Sequence, residues 1–156
     1  MHMGTYAITL IKYADSDYLE EHQLDDELAL RQLYNAFAVL TGVKNRHSIV
    51  PLFEPARELP PEIGDIKKLF GYHGEYFMFY YRTWFTLDEF DKLDLDRPLE
   101  FLPDKAKNDL NLVDHHKNDV QPGDTYRSFM ERETSIFQWI EKLKQANAKA
   151  VVLGFD

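Results

Sequence analysis

Cysteine is absent from this chain of 156 residues. That excludes thiol nucleophiles, zinc–thiolate sites and iron–sulfur clusters, and it is the usage expected in a reducing cytosol. Long apolar runs are missing too: none approaches the ~20 residues needed to span a bilayer. The N-terminus has neither the basic region nor the apolar core of a secretory signal, so the expected location is cytoplasmic. Bases are scarce beside acids, 18 Lys and Arg against 27 Asp and Glu, for a formal net charge of -9. Nucleic-acid binding needs clustered cations to displace counterions from phosphates and is therefore not expected. There is no GxSxG elbow, Walker A loop, GxGxxG or HExxH, which leaves nucleophile-elbow hydrolases, common nucleotide folds and helix-borne zinc sites without support.

What is abundant is aromatic: 9 Tyr, 11 Phe and 2 Trp make up 14% of the chain, enough to fill a core and to line a pocket or an interface. A chain of this length buries roughly two-thirds of its unfolded surface, so it can build a core without disulfides. Met1 and His2 precede a second methionine and read as an added leader, leaving one domain over residues 3–156. Thr5 to Tyr13 alternates and is rich in β-branched residues, which predicts a strand. Ala14 to Leu24 is polar and reads as a loop. A helix is predicted from Asp25 to Gly42: Asp25 caps it, Asp26 and Glu27 suit its positive end, and Gly42 stops it. Leu30, Leu33, Phe37 and Leu40 form its inner stripe.

Val43 to Pro61 carries Pro51, Pro55 and Pro60 and reads as a stiff irregular connection, followed by a short helix from Pro61 to Phe70. Tyr72 to Trp84 is apolar on both faces, the pattern of a central strand. Thr86 and Glu89 form a capping box for a short helix, and Asp94 to Gln121 reads as loop. One long helix is predicted from Pro122-Gly123-Asp124 to about Asn147, with Phe129, Ile136, Phe137, Ile140, Leu143 and Lys144 along its inner side, the lysine snorkelling at the edge. Ala148 to Phe155 closes the chain as a buried strand. Helices packed on a small sheet of about three strands give a single α+β domain.

Three clusters carry chemistry. Asp114-His115-His116 with Asp119 is the densest set of metal-type ligands, but adjacent residues point apart, and the set reads as a polar loop. His73 and Glu75 lie beside Gly71 and Gly74 and read as a turn; Glu54 and Glu58 read as surface charge. No metal and no cofactor is expected. The third cluster differs in kind. Lys44, Asn45, Arg46 and Arg57, with Glu54 in the same loop, gather donors within an acidic chain. Arg presents a planar fork for phosphate or carboxylate. With Tyr80, Arg82 and Trp84 from the aromatic strand they make a candidate ligand-binding site for an anionic, ring-bearing molecule. The plainer alternative pairs Arg57 with Glu54 or Asp88 and leaves the aromatics to pack.

Five segments in order, Met3-Gly4, Tyr34 to Asn45 (YNAFAVLTGVKN), Pro51 to Pro60 (PLFEPARELP), Thr83 to Phe90 (TWFTLDEF) and Lys149 to Asp156 (KAVVLGFD), resemble a family of small phage and prophage proteins with no established activity. Its members show LFAILAGVRN-like, EPRGLP-like and SWLTL-like stretches and a C-terminal VFxFD-like ending. The resemblance spans nearly the whole chain and rests on the order of the pieces. Asn45, Glu54, Pro55 and Arg57 match, the last after an insertion at Ala56. Family members carry an Asp and two His that neighbouring strands would bring together, a set suited to divalent metals. Tyr6, Ile8 and Tyr80 stand at those places here, so a metal site, if the family has one, is lost.

The resemblance implies a phage or prophage origin and a cytoplasmic location in an infected or lysogenic host. The leading expectation is a non-enzymatic binding protein, acting in counter-defence, that sequesters a small anionic, nucleotide-like ligand or binds a host protein. Two alternatives stand beside it. One is an acidic inhibitor that mimics nucleic acid on a basic host protein, with Asp15, Asp17, Glu20 and Glu21 on one face. The other is a hydrolase using Asp114, His115 and His116. No membrane partner is expected, and the edges of a three-stranded sheet invite a homo-oligomer.

Overall fold

The strand Ala7–Tyr13 (β1) is followed by Leu19–His22 (β2), the helix Tyr34–Thr41 (α1), the strand Tyr81–Thr86 (β3), the helices Leu87–Asp91 (α2), Tyr126–Glu131 (α3) and Ile136–Gln145 (α4), and the strand Ala148–Phe155 (β4). The computed structural model describes residues 7–16, 19–23, 25–43, 45, 47–53, 81–103, 120–133 and 135–155, with backbone alone at 81 and 82. The four strands form one antiparallel sheet in the order β2-β1-β4-β3. Helices pack against it, so the chain is an α+β domain. No helix among the described residues is long and apolar enough to cross a membrane.

Register decides which side chains share a face, because strand neighbours alternate. Ala7 lies opposite Phe155, Thr9 opposite Leu153 and Ile11 opposite Val151, and Phe85 lies opposite Val151 from the other side. This is the helix-covered face. Phe37 of α1 meets Phe155 edge-on at 4.8 Å, and Phe85 stacks on Phe53 at 4.9 Å. The second face carries Leu10, Lys12, Trp84, Ala150 and Val152, all buried and none part of the helix-side cluster.

Four expectations change. The polar stretch before residue 24 contains β2, an edge of the described sheet whose only buried residue is Leu19; with so little burial it shows no apolar alternation. The predicted helix from Asp25 begins instead after Leu33, which is its N-cap. Upstream, one local side-chain contact and two tertiary partners hold the backbone groups. Leu28 N–H donates to Asp26 Oδ1 (2.8 Å), Leu30 N–H to Thr9 Oγ1 (2.9 Å), and Leu28 C=O accepts from Trp139 Nε1 (2.8 Å). Gly42 ends α1 as expected, in the left-handed region at φ 80°, its N–H on Ala38 C=O.

The single long C-terminal helix is two, α3 and α4, with Arg132 and Glu133 between them turned to Asp124 and to α1, as described below. The strand expected to be central, β3, is an edge of the described sheet; β4 is central, and its residues from Ala150 on are all buried. Residues 72–80 of the former expectation and the helix at 61–70 lie outside the described residues. The Thr86–Glu89 capping box forms, with Glu89 N–H on Thr86 Oγ1 and Thr86 N–H on Glu89 Oε1, both 3.0 Å.

Candidate functional site

Of the residues singled out from sequence, Lys44, Arg46, Glu54, Arg57 and Tyr80 lie outside the described residues, as do His73, Glu75, Asp114, His115, His116 and Asp119. Arg82 is in β3 opposite Gly154. Trp84 is buried on the second face, opposite Val152. The Asn45 amide holds its own loop: Oδ1 accepts from Ile49 N–H (2.8 Å) and Nδ2 donates to Ile49 C=O (2.7 Å). Ile8, at a metal-type position of the resembled family, lies opposite Gly154 and is 36% exposed. No group of three or more His, Asp or Glu among the described residues could hold a metal. Glu20 and Glu21 pair with Ile11 and Leu10 respectively, so they project from opposite faces of β2.

Four polar arrangements are well formed. Asp124, buried, receives both Arg132 guanidinium nitrogens, with Nη1 to Oδ2 at 2.6 Å. Ser128 Oγ donates to Oδ1 at 2.9 Å, and Gln121 N–H to Oδ2 at 2.7 Å. Burial alone would raise this carboxyl, yet the donors from Arg132, Gln121 and Ser128 outweigh it and hold its pKa below the usual range. This network joins the turn before α3 to the residues after it.

Next along the chain, Glu133 reaches across to α1, whose N-cap Leu33 has no side chain to offer. Asn35 N–H donates to Glu133 Oε1 at 2.6 Å. Burial pushes the Glu133 carboxyl up, against backbone donors from Asn35, Ala36 and Tyr34 that favour the anion. A carboxylate thus caps a helix from a distant segment. Glu133→Ala is expected to cost about 1–2 kcal/mol by leaving those N–H groups unmet. Glu133→Gln keeps an acceptor and should cost less. A raised folded-state pKa means that this group's stabilisation is full below the ordinary value of 4.5 and falls as pH rises through the folded-state pKa. Urea midpoints at several pH values should therefore show Glu133→Gln losing that component of the acid-side gain.

The third arrangement is a chain of three side chains. Tyr13 Oη lies 2.8 Å from His22 Nε2, and His22 Nδ1 lies 3.0 Å from Asp26 Oδ2. A carboxylate only accepts, so Nδ1 carries a proton, and in the neutral ring Nε2 accepts from the Tyr13 hydroxyl. The order carboxylate, imidazole, hydroxyl is that of an acid–base relay. Its electrostatics run the other way: burial, then the charges of Glu20 and Asp26, raise the Tyr13 pKa. An activated nucleophile needs it lowered. The chain therefore acts as a clamp, fastening the segment after β2 to the sheet.

That segment forms one wall of the fourth feature, a cleft of about 230 Å³ against α4. Ser135, Gln138, Trp139 and Lys142 recur at helical spacing along α4, and Glu27 and Arg31 come from the opposite wall. Lys142 Nζ lies 4.0 Å from Glu27 Oε2. Arg31 stands apart from the other arginines with described side chains. Arg97 pairs with Glu100, Arg127 with Asp96 and Arg132 with Asp124, whereas the Arg31 guanidinium has no ion-pair partner among the described residues.

Sequence reasoning missed this cleft because it placed Glu27 in the first turn of a helix running from Asp25 and gave Arg31 no role. Once that helix gives way to turns, the two line a wall. The four-residue face of α4 was the available signal. No family model matches the chain, and no curated protein or solved structure matches it.

Proposed function

We propose that the chain is a non-enzymatic binding protein for a small anionic ligand, of phage or prophage origin and acting in the host cytoplasm, and that the cleft between residues 27–33 and α4 is its site. The observation that carries this reading is Arg31, an arginine at the cleft wall with no ion-pair partner among the described residues, facing a helix that offers Ser135, Gln138 and Lys142. A guanidinium fork and two neutral donors suit a carboxylate or phosphate. The volume, about 230 Å³, is below the roughly 300–1,000 Å³ of pockets for drug-sized ligands. The ligand class therefore narrows from a nucleotide to a smaller anion. Sequestration of such a ligand is the counter-defence role proposed for it.

The two tryptophans make the test simple, because Trp139 lines the cleft and Trp84 lies on the second face of the sheet. Titration with inorganic phosphate and with acetate, followed by the indole N–H resonances, should shift Trp139 and leave Trp84 in place. Arg31→Ala should weaken binding about tenfold, the low end for an exposed charge-assisted hydrogen bond. Affinity unchanged by that substitution rejects the cleft. The loop of Lys44, Arg46 and Arg57 is a second location for such a ligand. Arg57→Ala with Trp84→Ala should then abolish binding, and unchanged affinity would remove the loop instead.

A further inference from the structure

The geometry points to a more specific ligand for this cleft, resting on the anion-binding reading: a short zwitterion of about tripeptide length, its carboxylate at Arg31 and its ammonium at Glu27. The contacts between the two walls set their direction. Glu27 meets Lys142 at 4.0 Å and Leu28 C=O meets Trp139 Nε1 at 2.8 Å. At the other end, Asn35 N–H just after Leu33 meets Glu133 just before Ser135. Residues 27–33 thus run antiparallel to α4, with the acid Glu27 at one end of the cleft and the base Arg31 toward the other.

The length follows from helix geometry. Ser135 and Lys142 are seven residues apart on α4, about 10 Å at 1.5 Å per residue. An extended peptide advances roughly 3.3–3.6 Å per residue, so three residues cover that distance. The cleft, at about 230 Å³, is small, which suits a peptide of small residues.

Charge selects between ligand classes. A dianion of this length would place its second charge beside Glu27 as well as Lys142, losing to the one what it gains from the other. A monoanion with an apolar tail would find Leu33 and Trp139 for that tail but would leave Glu27 only its long contact with Lys142. An ammonium supplies three donors for Glu27, which sits at the long limit of an ion pair with Lys142; both side chains are well exposed, at 72% and 46%. Gln138 has a donor and an acceptor for the peptide groups between the ends.

The test compares triglycine, N-acetyl-triglycine and triglycine amide, titrated into the whole chain and followed at the Trp139 indole. Triglycine should bind about tenfold more tightly than either blocked form. Glu27→Gln should abolish the preference over the acetylated peptide without affecting the preference over the amide, and Arg31→Ala should do the reverse. If N-acetyl-triglycine binds as tightly as triglycine and Glu27→Gln changes nothing, the zwitterion inference falls while anion binding stands. If neither the peptides nor phosphate move the Trp139 resonance, both fall together.

Discussion

Replacing Phe85 by alanine is expected to lower the melting temperature by roughly 10 °C. Phe85 has no exposed surface and joins two helices and the loop residue Phe53 to β3. Its ring stacks on Phe53 at 4.9 Å with planes 8° apart, and meets Phe90 of α2 at 5.9 Å and Trp139 of α4 at 6.5 Å. Removing it takes away burial and leaves a cavity among rigid rings that cannot collapse together, a loss of about 3–5 kcal/mol. At roughly 2–4 °C per kcal/mol for a chain of this size, the shift is easily read by circular dichroism. Leu102→Ala, at a residue 41% exposed, is the control and should move the midpoint little. A Phe85→Ala shift as small as the control's would mean that the helices do not hang on this ring.

Asp124→Ala should cost about 3 kcal/mol, the low end for breaking a buried ion pair because Arg132 keeps 22% of its side chain exposed. The loss includes the Ser128 and Gln121 donors as well as the guanidinium fork. Asp124 also has a pH signature opposite to that of Glu133. Its folded-state pKa is lowered, so its contribution is full above the ordinary value of 3.8 and is lost as pH falls through the folded-state pKa. Chemical denaturation from pH 7 down to pH 3 should show the wild-type chain losing stability over its last acid step and Asp124→Ala losing less. Parallel curves for the two proteins would show that the pair is not linked to folding.

The positions of both residues explain what could and could not be read in advance. Phe85 sits in a strand-like run of aromatics, and its inward direction follows from period two once β4 is placed. The capping box at Thr86 and Glu89 and the stop at Gly42 depend on groups within a few residues, so local pattern suffices for them. Asp124 and Glu133 are different. Asp124 was read as a helix start, yet it is the receptor for Arg132, eight residues on. Glu133 was read as a point inside one long helix, yet it caps another helix 98 residues away in sequence.

The same division applies to the candidate site. Composition alone excluded thiolate and iron–sulfur chemistry, and the absence of long apolar runs excluded a spanning helix; periodicity identified the strands Ala7–Tyr13 and Ala148–Phe155 and the α+β class. Those conclusions rest on side-chain chemistry and on hydrogen bonds between near neighbours. The cleft required knowledge of where backbone groups find their partners. Residues 25–33 have caps, an apolar stripe and a stop signal, everything a helix needs locally. Thr9, Trp139 and the His22–Asp26 pair nevertheless draw that segment onto the sheet and α4. Hydrogen bonds from distant elements, each about as strong as the helical ones they replace, come with burial that an isolated helix lacks. Only the tertiary structure could decide that competition, and its outcome sets Arg31 and Glu27 at opposite ends of one wall.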